Sequence, residues 1–194
     1  MLLNLMILEP IRKIYFFFLD IIQTLLLVFA VFIIIYIFLF RPFQVNGDSM
    51  YPNFFHKEYV LTNIIVLRFK QPRYGDVVIF RAPPDLEKDY IKRVIGVPGD
   101  TISLNDGRVY LNGKLLNQDK YLNSSVPTRA GLFLQDGKTI TVPENSYFVM
   151  GDNRAESSDS RDWGFVPVKS IIGEAFFVYW PLNKIGIIKN PYAK

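Results

Sequence analysis

The sequence predicts a mostly β domain carried behind a single N-terminal transmembrane helix. Three observations point there. An uncharged apolar run lies near the start, and short β-like segments separated by Gly, Pro, Asn and Asp follow it. Beyond the run, no stretch shows helical periodicity. With 194 residues, half of them hydrophobic, the length suits one domain and its anchor.

The anchor comes first. "IIQTLLLVFAVFIIIYIFLF", from Ile21 to Phe40, carries no charge, and only Gln23 and Thr24 are clearly polar. Twenty helical residues at about 1.5 Å each span about 30 Å, the thickness of a bilayer's hydrocarbon core. A cleavable leader would have a shorter apolar region, about 7–15 residues, ending at small side chains. This run ends in "FLFRPFQV", so it is expected to stay as a membrane anchor. Residues 1–20 form a cytoplasmic or interfacial segment on this reading; "IRKIYFFFLD" is either a lead-in or an extension of the same helix. Arg12 and Lys13 precede the run, opposed by Glu9 and Asp20, and Arg41 follows it. The positive-inside bias leans toward a cytoplasmic N-terminus and an outer-side domain at 41–194.

The strands follow. "YGDVVIF" reads as a buried strand entered from a Gly-Asp turn. "DTISLNDGRVYLNGKLLN" alternates around Asn105-Asp106-Gly107 and again at Asn112-Gly113, both hairpin signals. "KTITVPENSYFVMGD" and "IIGEAFFVYWP" supply more strands. Residues 105–138 are polar and turn-rich, which suggests a hairpin subdomain outside the main sheet.

Composition then removes chemistries. There is no cysteine, so disulfides, thiol nucleophiles and zinc–thiolate sites are excluded, and the one histidine, His56, leaves no plausible metal set. The net charge of +4 comes from scattered basic residues. That pattern suits a surface near anionic lipid, not a nucleic-acid stripe. Phe43, Phe54 and Phe55, close to the anchor, are expected at the bilayer interface.

"GDSMYPNF" sets Ser49 just beyond the anchor. Asp-Ser before proline is ordinary turn chemistry, so a catalytic serine there needs a base. His56, among aromatics and charges, reads as packing or surface. Lysine can serve only if burial disfavours its charged form, since its ordinary pKa is about 10.4. Lys57, Lys88, Lys114, Lys120 and Lys138 lie in polar or turn sequence. Lys92, in "YIKRVIGVPGD", sits in an apolar strand. Alternation puts Lys92 with Tyr90 and Val94 on one face and Arg93 with Ile91 and Ile95 on the other, leaving open which basic residue points inward. An edge-strand lysine that blocks aggregation fits the same pattern.

"GDSMYP", "YIKRVIGVPGD" and "GDNRAESSDSRDWGFVP", in that order behind one span, resemble the type I signal peptidases, membrane-anchored Ser/Lys endopeptidases. The resemblance covers the anchor and most of the chain beyond it. It implies the signal-peptidase fold, a complex β-fold shared with LexA-like repressors, with no cofactor and no metal. It also implies Ser49 as nucleophile, Lys92 as neutral general base and Ser157 as the hydroxyl that orients the lysine amine. The Ser49 backbone N–H is the natural oxyanion donor. Met50 and Pro52 would pack and turn the chain beside it. Asp152, Arg154, Asp159 and Arg161 would form a salt-bridged surface loop bracing Ser157. The implied partners are a lipid bilayer and preprotein signal peptides with small residues at the first and third positions before the cut.

The chain departs from the family pattern at Asn53, usually threonine, and at Ala155-Glu156, usually Asp-Asn. Gly47 stands where some members carry a serine. Two rivals remain: a self-cleaving LexA-like protein, which would carry a DNA-binding head instead of a span, and a catalytically dead membrane-anchored binding module.

Overall fold

Antiparallel pairing across two sheets organises the chain beyond residue 39. The structure, a computed structural model, describes residues 2–122 and 126–193. Residues 123–125 of the expected 105–138 segment, and the side chain of Glu9, lie outside what is described. Two units divide the chain, residues 1–39 and 40–194.

The first unit is one helix, α1 (Leu2–Leu39), with Pro10 inside it. "IRKIYFFFLD" is therefore an extension of the anchor helix. Within it, the 25 residues Arg12–Tyr36 have mean hydropathy 2.7. They are long and apolar enough to cross a bilayer, and large apolar side chains from Ile14 to Tyr36 stand exposed.

Among the described residues the second unit holds twelve strands: β1 (Phe40–Gln44), β2 (Tyr59–Asn63), β3 (Val77–Ala82), β4 (Asp85–Gly96), β5 (Thr101–Asn105), β6 (Arg108–Leu111), β7 (Lys114–Leu115), β8 (Thr139–Thr141), β9 (Ser146–Met150), β10 (Val166–Pro167), β11 (Ile171–Trp180) and β12 (Gly186–Ile187). A four-residue helix, α2 (Ser160–Trp163), precedes β10. The main sheet runs β1-β2-β11-β3-β4-β9-β10, with β12 on β11. A second sheet runs β7-β6-β5-β8.

Local chemistry explains the second sheet. Asp106 and Gly107 have φ of 48° and 71°, and Asn112 and Gly113 have 52° and 74°. Two-residue loops with both φ positive match the twist of the strands they join, so each closes a tight hairpin. Ile102, Leu104 and Val109 from these hairpins pack with Ile95, Phe148 and Met150.

β3 explains the site. Val77 and Ile79 enter one cluster with Met50, Phe54 and Val60, while Val78 and Phe80 enter another with Val94 and Tyr147. Both faces of the strand are covered, which is why its sequence reads as a continuous apolar run. The neighbouring β4 inherits the same double cover. Burial of Lys92 and Arg93 follows from that position.

Candidate active site

Ser49 lies in a tight turn between β1 and β2. Tyr51 N–H donates to the Asp48 carbonyl (3.0 Å), and the N–H groups of Asn53 and Phe54 both donate to the Met50 carbonyl (3.0 Å each). Met50 is fully buried in the core below and pins the turn, leaving Ser49 half-exposed. Pro52 is exposed, so it belongs to the turn without packing. Gly47 opens the turn with φ of 93°, a left-handed value that favours glycine, and its N–H donates to His56 Nδ1 (3.0 Å). His56 thus supports the turn and makes no bond to Ser49.

β4 delivers the amine. In the β3–β4 register Lys92 faces Val78 and Arg93 faces Val77, so the two project to opposite faces. Both are buried, at 4% and 3% exposure, which removes the either-or choice left by alternation. Lys92 Nζ lies 2.7 Å from Ser49 Oγ and donates to the Ile91 carbonyl at 3.0 Å. Burial pushes the amine down from its ordinary 10.5 to about 8, with Asp159 and Asp152 pulling the other way from a distance.

Arg93 cannot lose its proton and is neutralised instead. Its Nε and Nη2 donate to the two carboxylate oxygens of Asp152 (2.8 and 2.6 Å), and Nη1 donates to the Gly75 carbonyl (2.9 Å). Its guanidinium also lies 4.3 Å from the Tyr121 ring centroid. Asn53 Nδ2 adds a bond to Asp152 (2.9 Å) and one to the Tyr121 carbonyl (2.8 Å). The departure at Asn53 is therefore used: its amide links the Ser49 turn to the carboxylate and to the loop beyond β7.

The loop after β9 closes the site from the other side. Asp152, Arg154, Asp159 and Arg161 are all at most 1% exposed, so the expected surface loop is a buried one. The reason is mutual satisfaction. Arg161 grips Asp159 through Nε and Nη2 (2.8 and 2.7 Å), and Asp159 also accepts from Gly151 N–H (2.9 Å). Burial alone would raise the Asp159 pKa, but the Arg161 bonds and charge outweigh it and hold it below the usual carboxylate range. Arg154 has no carboxylate partner among the described residues. It donates to the Gly151 carbonyl, Thr128 Oγ1 and Tyr121 OH, and burial depresses its pKa.

Ser157 is buried in this loop, but its hydroxyl does not bond Lys92 as the resemblance implied. It favours the Asp159 carboxylate electrostatically yet meets no partner in hydrogen-bonding geometry. The amine's two short contacts go to Ser49 and Ile91 instead.

Sequence reasoning missed two residues that stitch the loop to the turn. Asn153 N–H donates to the Ser49 carbonyl (3.0 Å), and its Nδ2 donates to the Asp48 carbonyl (3.2 Å). Gly151 lies so close that a Cβ there would overlap both the Ser157 hydroxyl and the Ser49 carbonyl. Both stood in the "GDNR" stretch, where the charged neighbours drew attention away from them.

A cleft of about 690 Å³ opens beside Ser49 and Lys92, with Phe43, Val60, Ile79 and Ile91 among its apolar lining. Its flanks come from 42–46, around β1, and 88–92 of β4. β1 pairs only with β2, and β4 meets β9 only from Arg93 onward, so two strand edges border the cleft. Lys88, which reads as polar loop in the sequence, is on this rim. Among the described residues no group of three His, Asp or Glu converges to hold a metal.

Comparison with known proteins gives the family. The pattern of the family described as signal peptidase, peptidase S26, matches residues 18–180. Signal peptidase I S of Bacillus subtilis (strain 168) is 36% identical over 152 residues, covering 76% of this chain and 81% of that protein. Signal peptidase I of Leptolyngbya laminosa is 35% identical over 154 residues, covering 76% and 72%. A signal peptidase I of known crystal structure from Enterococcus faecalis V583 is 34% identical, covering 54% of this chain and 97% of that one, with a TM-score of 0.45. A half-exposed serine beside a buried amine, in a chain so matched, belongs to a hydrolase: this protein is a member of the signal peptidase family, peptidase S26, and a serine peptidase.

Proposed function

We propose that the chain is a membrane-bound endopeptidase that removes N-terminal signal peptides from exported preproteins, with Ser49 as nucleophile and Lys92 as general base. One observation carries the proposal: a buried amine with a pKa of about 8 stands 2.7 Å from a serine hydroxyl.

A neutral amine has two N–H groups and one lone pair. One N–H to the Ile91 carbonyl turns the amine so that its lone pair can face Ser49 Oγ. The hydroxyl proton passes to Nζ as Oγ bonds the scissile carbonyl carbon. The oxyanion is received by the Ser49 N–H, which makes no hydrogen bond among the described residues. Lys92 then gives the proton to the leaving amine nitrogen, and the C–N bond breaks. Water, deprotonated by the again neutral Lys92, attacks the acyl carbon; the Oγ–C bond then breaks, and Nζ returns the proton to Ser49 Oγ. In its charged moments the ammonium has three N–H groups to satisfy. Ser49 and Ile91 account for two, and the unmet hydroxyl of Ser157 is the candidate for the third.

The two strand edges suit a substrate bound in extended form. In an extended peptide the first and third residues before the cut point to one face, here the cleft lining, and the second points away. Small residues at those two positions are the expected preference. A single span lies within α1 and ends before Phe40, the first residue of β1, with the domain beyond it on the outer side of the membrane; the apolar length of α1 and the charges around it support this reading.

The test is cleavage of a purified preprotein by the full chain in detergent, with the product's new N-terminus sequenced. Wild type should cut after a small residue, and Ser49→Ala and Lys92→Ala should each lose at least a thousandfold in rate. Undiminished cleavage by Ser49→Ala would overturn the assignment.

A further inference from the structure

A second pocket, of about 250 Å³, lies behind the nucleophile turn, lined by Asn53 and Phe54 of the turn and by residues around β12. Its charge is one-sided. Arg93, Lys120, Lys184 and Lys189 all line it, and no Asp or Glu does. Arg93 is already neutralised by Asp152. The three lysines have no carboxylate partner among the described residues: Lys120 donates to the Pro191 carbonyl, and Lys184 Nζ sits 3.8 Å from the Phe55 ring centroid. Three lysines lining one concavity, none of them ion-paired among the described residues, give it a positive potential that attracts an anion.

The surroundings say which kind. The expected interface residue Phe54 is buried, at 3% exposure, because it packs beneath the turn. The β11–β12 hairpin, which carries Lys184, exposes Trp180, Leu182, Ile185 and Ile187 instead, each at least half exposed. Tyr51, half exposed on the nucleophile turn, stacks edge-on with Phe55. Large apolar and aromatic side chains interleaved with lysines form the pattern of a surface lying in the headgroup region of a bilayer. An anion-binding pocket inside such a surface fits a group that itself belongs to the membrane.

We propose that this pocket binds the phosphodiester headgroup of an anionic phospholipid, with Lys120, Lys184 and Lys189 on the phosphate and the Trp180–Ile187 hairpin tip among the acyl–headgroup boundary atoms. The site is separate from the cleft. Its occupant borders Asn53 and Phe54, so lipid binding braces the turn that presents Ser49.

The experiment uses the full chain in uncharged detergent micelles, and its readout does not depend on proteolysis. The protein is titrated with dioctanoyl phosphatidylglycerol, dioctanoyl phosphatidylcholine or inorganic phosphate, and bound molecules are counted by native mass spectrometry after detergent release. One phosphatidylglycerol should be retained per chain, saturably, and phosphatidylcholine should not. Lys184→Gln/Lys189→Gln, whose fold is checked by circular dichroism, should bind it at least tenfold more weakly. Equal retention of both lipids, or no effect of the double substitution, would overturn the proposal. Inorganic phosphate filling the pocket as tightly as the lipid would assign the site to a free anion and overturn its membrane role.

Discussion

Gly151 packs its bare Cα against the Ser157 side chain, with the Ser49 carbonyl crowding the same spot. The contact is so close that only a missing side chain permits it. Gly151→Ala should therefore push the Ser49 turn and the Ser157 loop apart while the three apolar clusters stay intact. We expect cleavage to fall at least a hundredfold with the circular dichroism spectrum unchanged. Activity within threefold of wild type would mean that the loops tolerate separation.

The buried amine sets the pH response. Activity should rise through a midpoint near pH 8 as Lys92 loses its proton, since burial holds its pKa at about 8. Lys92→Arg should be inactive at every pH, because a guanidinium stays charged. A midpoint near the ordinary lysine value would contradict the burial of Lys92.

Stability responds to pH in the same direction. Lys92 has a lower pKa folded than unfolded, so between about pH 8 and the unfolded value of 10.5 the unfolded chain binds more protons. Stability from this group therefore rises with pH across that window and is at its poorest below pH 8. Lys92→Met removes the buried charge. It should unfold at higher denaturant than wild type at pH 6, by roughly 1–3 kcal/mol, and that advantage should shrink by pH 10. An advantage that does not change with pH would point to packing alone.

Asp152 faces the reverse problem. Removing it leaves the Arg93 guanidinium buried without its counter-charge. Asp152→Ala should cost about 3–5 kcal/mol in urea unfolding. Asn53→Ala removes only the outer bond to the same carboxylate and should cost about 1 kcal/mol. If the two substitutions cost the same, the ion pair does not carry the load assigned to it.

Gly47 gives a smaller effect. Open space surrounds its missing Cβ, so a side chain there meets no atom, but φ of 93° strains any residue other than glycine. Gly47→Ser should remain folded and active with stability lower by about 1 kcal/mol. A folded variant without activity would show that the added hydroxyl obstructs the substrate.

Much of this was legible because local rules acted locally. The apolar run, the Asp106-Gly107 and Asn112-Gly113 hairpins and the buried Val77–Phe80 strand each carry their signal within a few residues. β1 and β2 carry none: "FRPFQ" and "YVLTN" are short, one contains Pro42, and their pairing depends on each other and on distant β11. The start of β4, "DLEKD", reads as polar loop because its side chains face water and only Asp85 and Asp89 pair with β3 across a bulge. The burial of Asp159 and Arg161 was hidden for another reason. A charge-rich loop looks solvated until its charges are seen to satisfy one another.

Lys92 and Arg93 are neighbours with opposite needs, one requiring a site where it can shed its proton, the other a carboxylate that accepts it as it is. A slip of β4 by a single residue would exchange their faces. The guanidinium would then stand at the serine, and Asp152 would lose its partner inside the protein. Misregistered chains are thus penalised by two unmatched charges at once, and the ion pair proofreads the strand alignment on which the chemistry depends. A molecule that has folded far enough to be stable has, by the same step, put a removable proton beside the Ser49 hydroxyl.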